Sequence, residues 1–157
     1  TDALLKAILL MRKNNPAGRV ILTVSPIRYA KYGYHESQLS KAVLLLAADR
    51  LVKELGDTVY YFPAYEIVND ELRDYRFYKA DMLHPSSQAV DYIWERLVET
   101  CFSAEAKRFL EAWKPIREAL GHRPFDPESE EYRHFLTKTK EAAKALKKKY
   151  PDMEPDL

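Results

Sequence analysis

Asp81, Met82, Leu83, His84, Pro85 and Ser86 form the stretch of this sequence best suited to chemistry. An aspartate three residues before a histidine on one loop can turn back and accept the Nδ1 proton, which fixes the tautomer and leaves Nε2 as a general base. Pro85 stiffens the exit of the loop, and Ser86 or Ser87 can cap the helix that follows. The same spacing is also met by an ordinary loop histidine bonded to a neighbouring carboxylate. Two features favour the catalytic reading: the position directly before a helix, and an upstream α/β alternation that presents functional groups at the carboxyl ends of parallel strands. A metal pair is the other chemical reading, but His35, His122 and His134 are scattered and supply no regular third ligand, so neither a metal nor another cofactor is expected.

A second constellation is Ser25, Pro26, Ile27 and Arg28, at the end of the first expected strand. Arg28 could bind a carboxylate, phosphate or sugar oxygen, and Ser25 could offer a hydroxyl or a backbone amide to an oxyanion. The plainer alternative is a chain turn followed by a surface arginine. The third constellation interleaves aromatics, arginines and carboxylates: Tyr65, Glu66, Asp70, Glu71, Arg73, Asp74, Tyr75, Arg76, Phe77 and Tyr78. It suits carbohydrate or peptide recognition, and equally an internal network of ion pairs.

These groups need elements to hold them. A helical period with Leu4, Leu5, Ile8 and Leu9 opens the chain at once, as if the sequence began inside a protein. Breakers from Asn14 to Gly18 precede the run Val20 to Val24, which reads as a strand buried on both faces. A helix is expected from about Ser37 to Leu55, stopped by Gly56 and well buried through Leu39, Ala42, Val43, Leu46, Ala47 and Leu51. Thr58 to Phe62 then reads as a second strand, so the order is that of an α/β crossover. Residues 63–85 have no clean period and are expected to be functional or partly helical. Helices follow from Ser86 and around Phe109, Leu110 and Trp113, the latter disturbed by Pro115 and stopped by Gly121. Asp126 and Pro127 offer a cap and first-turn proline for a last helix with an acidic start and a basic end (Lys147 to Lys149). The expected division is residues 1–127 as one domain portion and 128–157 as an amphipathic helix and tail.

The totals exclude several classes. A chain of 157 residues with 46% hydrophobic content suits one globular domain, and a net charge of +1 gives no global attraction to nucleic acid or anionic membranes. No apolar run reaches the roughly 20 residues needed to span a bilayer, and no signal pattern opens the chain, which leads to the expectation of a cytoplasmic protein. The lone Cys101 rules out an internal disulfide.

Three strings, ILTVSPIRYAKYGYHESQLSKAVLLLA, YYFPAYEIVNDELRDYRFYKADMLHPSSQAVDYIWE and HRPFDP, resemble the GSCFA family, a bacterial group placed among the SGNH or GDSL-like hydrolases. The resemblance implies a three-layer α/β SGNH-hydrolase-like fold, here a partial domain with a few parallel strands and a mostly helical carboxyl-terminal region. It also implies a serine esterase in which Asp81 and His84 match the acid and base positions, and Ser25 to Arg28 fall where related hydrolases place oxyanion or substrate contacts. The Gly-Ser-Cys-Phe-Ala string that carries the family's nucleophile does not occur in this chain, so the nucleophilic serine is expected upstream of Thr1. Tyr29 stands where histidine is common in the family. The implied partner is a small-molecule or glycan ester, with no nucleic acid. A noncatalytic glycan- or protein-binding module on the same fold, with Arg28, Arg73 and Arg76 as contacts, is the competing expectation, and an interaction tail built from the last helix is a third.

Overall fold

Val20–Leu22 (β1) and Val59–Tyr61 (β2) pair in parallel, with Val20 opposite Val59, Ile21 opposite Tyr60 and Leu22 opposite Tyr61. The computed structural model describes residues 1–153. Both strands are shorter than the apolar runs that contain them. Pairing closes where Phe62 N–H donates to Leu22 O at 2.8 Å, and Pro63 has no N–H with which to extend it. Asp2–Asn14 (α1) precedes β1, and Tyr34–Leu55 (α2) crosses between the strands, so the order helix, strand, helix, strand expected of an α/β chain is present. Gly56, at φ 52°, ends α2 in a left-handed conformation open to glycine at little cost.

The chain divides into two units, Thr1–Glu99 and Thr100–Leu157. In the first, Ile8 of α1, Leu51 of α2 and Val59 of β2 form a core, packed by Leu5, Val20, Leu22, Val52 and Leu55. Two expectations are corrected here. Ile21 and Tyr60, paired across the strands, are each 49% exposed, so the sheet is covered on one face and not on both. The β-branched run reads the same way in either case, because period alone does not reveal what lies across a sheet face. Likewise α2 is not buried all round: Ser37, Lys41, Ala47, Ala48 and Leu51 are buried, while Leu39, Val43 and Leu46 are exposed. A helix of 3.6 residues per turn lays one stripe on the sheet face it covers, and Leu51 lies on that stripe with Val59.

The aperiodic stretch after β2 is partly helical, as expected. Ala64–Glu66 (α3) runs into a wide π turn at Ile67–Leu72, and a single 3-10 turn follows at Tyr75–Phe77. The π turn ends at Arg73 in the left-handed region, φ 45°. Ser87–Cys101 (α4) then begins, capped by Ser86 Oγ, which accepts from Ala89 N–H at 3.3 Å.

In the second unit, Ala104–Leu120 (α5) and Glu130–Lys149 (α6) pack through Ile116, Ala143 and Leu146, with Phe109, Trp113, Leu120 and Tyr150 around them. Helix α5 runs through Pro115 and stops at Gly121. The expected cap of α6 is corrected: Ser129 Oγ, not Asp126, accepts from Tyr132 N–H, while Asp126 accepts from Glu128 N–H in the preceding turn. Both residues are good caps by type, and the choice follows from where the helical dihedrals begin. Residue 127 lies within this unit, between α5 and α6. Among the described residues, no helix is long and apolar enough to cross a membrane.

Candidate active site

The Asp81 carboxylate organises the loop around itself. Its Oδ1 accepts the backbone N–H of Leu83 at 2.8 Å and of His84 at 3.0 Å, and its Oδ2 lies 2.6 Å from His84 Nδ1. The hydrogen bonds from His84 N–H, Leu83 N–H and the His84 ring hold the Asp81 carboxyl well below its ordinary value, at about 2. Asp81 is therefore ionised at neutral pH and can only accept. A carboxylate that only accepts favours the His84 tautomer with its proton on Nδ1, which directs the Nε2 lone pair away from Asp81. The two side chains are about half exposed, 51% for His84 and 42% for Asp81, so solvent or a substrate can reach the ring.

A short frame holds this geometry. Tyr78 and Pro85 form an isolated antiparallel bridge, Ser86 N–H donates to Phe77 O at 2.7 Å, and Lys79 N–H donates to His84 O at 2.8 Å. Inside it, Met82 N–H donates to Lys79 O at 2.9 Å, and Met82 takes φ 61° so that the chain can reverse. A methionine in the left-handed region costs roughly 1 kcal/mol, which the surrounding bonds must offset.

The segment Ser25 to Arg28 meets this loop. Arg28 N–H donates to Leu83 O at 3.0 Å, and Arg28 Nη1 donates to Met82 O at 3.3 Å. The guanidinium carbon lies 5.0 Å from the Tyr34 ring centroid and 5.5 Å from that of Tyr78. Ser25 turns inward on its own segment: its Oγ accepts from Ile27 N–H at 3.3 Å, and its carbonyl accepts from Lys41 Nζ at 2.7 Å. Burial lowers the pKa of the Lys41 amine. Tyr29 N–H donates to Ser37 Oγ at 3.1 Å, so the start of α2 and the strand exit are tied together. Two constellations that lie more than 50 residues apart in sequence thus occupy one place.

The third constellation resolves mainly into internal bonds. Tyr61 OH donates to the Glu66 carboxylate at 2.9 and 3.1 Å, and burial, followed by this bond, raises the phenol pKa well above its ordinary value. Tyr65 OH donates to Gln38 Oε1 at 2.9 Å, and Tyr92 OH donates to Glu71 Oε1. Asp74 caps the turn that follows it, accepting from Arg76 N–H at 2.8 Å and from the Arg76 guanidinium. Leu72, Phe77, Gln88, Asp91, Tyr92 and Glu95 line an adjoining open cleft of about 490 Å³. Sequence reading missed Tyr34, Lys41 and Gln38 as neighbours of the site. Their contacts cross between elements, and no local spacing announces such contacts. Among the described residues, no group of three or more His, Cys, Asp or Glu is arranged to hold a metal ion.

A family model described as the GSCFA family matches residues 1–97, more than half of the chain and all of the site just described. The chain belongs to the GSCFA family. A second model, described as the GSCFA domain protein C-terminal domain, matches residues 113–156 and so includes all of α6. No curated protein and no solved structure matches the chain at a significant level. For this GSCFA chain the match to residues 1–97 contains both strands, the Ser25 to Arg28 exit and the Asp81–His84 loop.

Proposed function

We propose that this GSCFA chain carries the acid and base of an SGNH-type serine esterase on a three-layer α/β fold. The observation that supports the reading most is the 2.6 Å contact between Asp81 Oδ2 and His84 Nδ1, with the carboxyl held at about 2 and hence ionised. The nucleophile is assigned to a serine in a segment preceding Thr1, because the Gly-Ser-Cys-Phe-Ala string of the family is not among these 157 residues.

In the proposed reaction, the serine hydroxyl attacks the ester carbonyl while His84 Nε2 takes its proton. Asp81 keeps the ring oriented and offsets the charge that forms on it. Collapse of the tetrahedral intermediate expels the alcohol, which leaves with the proton from Nε2. Water then enters the acyl-enzyme by the same route in reverse. Arg28 meets the loop at the strand exit, while Ser25 Oγ accepts from Ile27 N–H within its own turn. An acyl ester on a carbohydrate or cell-surface glycan is the substrate class we assign by analogy with related hydrolases.

A noncatalytic glycan- or protein-binding module is the second reading, and the absence of the nucleophile string from these residues favours it. Hydrolysis of a short-chain p-nitrophenyl ester separates the two, using a protein that contains both that string and this chain. Turnover that His84→Ala abolishes supports the esterase, whereas normal turnover in His84→Ala overturns the assignment of the base.

A further inference from the structure

The Asp81–His84 loop has little packing of its own. Lys79, Ala80, Asp81, Met82 and His84 are all exposed, and Met82 holds an unfavourable backbone conformation. Bonds within the frame close the loop upon itself, but they do not fix where it stands relative to the strands. From the strand exit, Arg28 makes the hydrogen bonds that reach it. Arg28 donates through its backbone N–H to Leu83 O and through Nη1 to Met82 O, and these two carbonyls lie between Asp81 and His84. Its guanidinium carbon lies over two aromatic rings: Tyr34, the first residue of α2, and Tyr78, the first partner in the bridge that closes the loop. Cation–π attraction to both rings favours the rotamer from which Nη1 reaches Met82 O.

We propose that Arg28 is a positioning residue that clasps the loop to the strand exit and to α2, holding the Asp81–His84 pair in register with the sheet. Its role is exerted through Met82 and Leu83, and it touches neither of the reacting groups. The function of the clasp in catalysis rests on the esterase reading, while the clasp itself does not. The flat guanidinium matters in two ways, its breadth letting it lie over both rings and its separate N–H groups letting one reach the Met82 carbonyl at the same time. A lysine ammonium keeps the charge and loses both properties.

The test uses this chain, isotope-labelled, as wild type, Arg28→Met and Arg28→Lys. The Asp81 carboxyl is titrated by NMR, and amide exchange is followed at Leu83 and His84, whose N–H groups Asp81 accepts. The amide of Phe62, bonded to Leu22 across the strands, reports whether the sheet is intact. The clasp predicts faster exchange at Leu83 and His84 in both variants. It also predicts an Asp81 midpoint that rises from about 2 toward the ordinary aspartate value of about 3.9. Phe62 remains protected. If Arg28→Met unfolds the sheet, the milder Arg28→Lys decides by the same two readouts. Unchanged titration and exchange in a folded variant overturn the proposal, and so does full rescue by lysine, which would mean that charge alone is required. In the protein that also carries the nucleophile string, the clasp predicts that Arg28→Lys lowers kcat with little change in KM. A rise in KM alone would make Arg28 a substrate contact instead. Because the NMR readouts need no turnover, failure of the esterase reading and failure of the clasp are distinguishable.

Discussion

Both oxygens of Asp81 are committed to the segment that carries His84: one accepts the backbone N–H of His84, and the other lies 2.6 Å from Nδ1 of the same residue. The carboxylate therefore fixes the backbone and the ring of one histidine together. Any change to Asp81 acts on the direction of Nε2 as well as on its basicity.

Asp81→Asn separates these roles. An amide oxygen can still accept the Leu83 and His84 N–H groups, but an amide NH2 facing Nδ1 favours the tautomer with the proton on Nε2, which cannot serve as base. Where the serine nucleophile is present, kcat should fall about 10³- to 10⁴-fold while KM changes little, as read by steady-state ester hydrolysis. A loss below about tenfold would remove Asp81 from the mechanism.

The same carboxylate makes stability depend on acid. Its folded pKa, about 2, lies below the unfolded value of about 3.9, so its contribution is fully present above the unfolded value and is lost as the pH falls toward the folded one. Urea unfolding of the wild-type chain and Asp81→Asn at a series of pH values should give a stability difference that is constant above about pH 5 and shrinks between about pH 4 and pH 2. A difference that stays flat through that window would mean that the loop bonds do not hold the carboxylate in solution.

Met82 sits at φ 61°, a region that β-branched residues all but avoid. Met82→Ile should destabilise the first unit by about 1–2 kcal/mol, although the side chain is exposed and no packing is removed. Chemical denaturation reads the change, and a neutral result would place Met82 in an ordinary conformation.

The one-sided burial of the sheet is equally open to test. Leu51 is fully buried, so Leu51→Ala should cost about 2–5 kcal/mol, whereas Ile21→Ala, on the exposed face, should cost about 1 kcal/mol or less. Equal losses in denaturant midpoints would show that something covers Ile21 in solution.

Much of this molecule was legible along the chain because its determinants are local. The Asp-x-x-His spacing permits the carboxylate to turn back on the ring, and Ser86 follows where a helix needs a cap. Gly56 ends α2 because the chain there takes a positive φ, and the alternation of helix and strand follows from period and breakers. Family membership was also carried by contiguous strings.

Tertiary structure decided the rest, since it depends on which surfaces meet. The middle of α2 is apolar on nearly all sides, and only its packing against Ile8 and Val59 determined that Leu51 is buried while Leu46 is exposed. Both Asp126 and Ser129 could cap α6, and backbone dihedrals selected Ser129. Above all, nothing local to Ser25 through Arg28 or to Asp81 through His84 says that they touch. The parallel crossover through α2 returns the chain so that the end of β1 and the loop after β2 lie on the same side, and there Arg28 reaches the carbonyls of Met82 and Leu83.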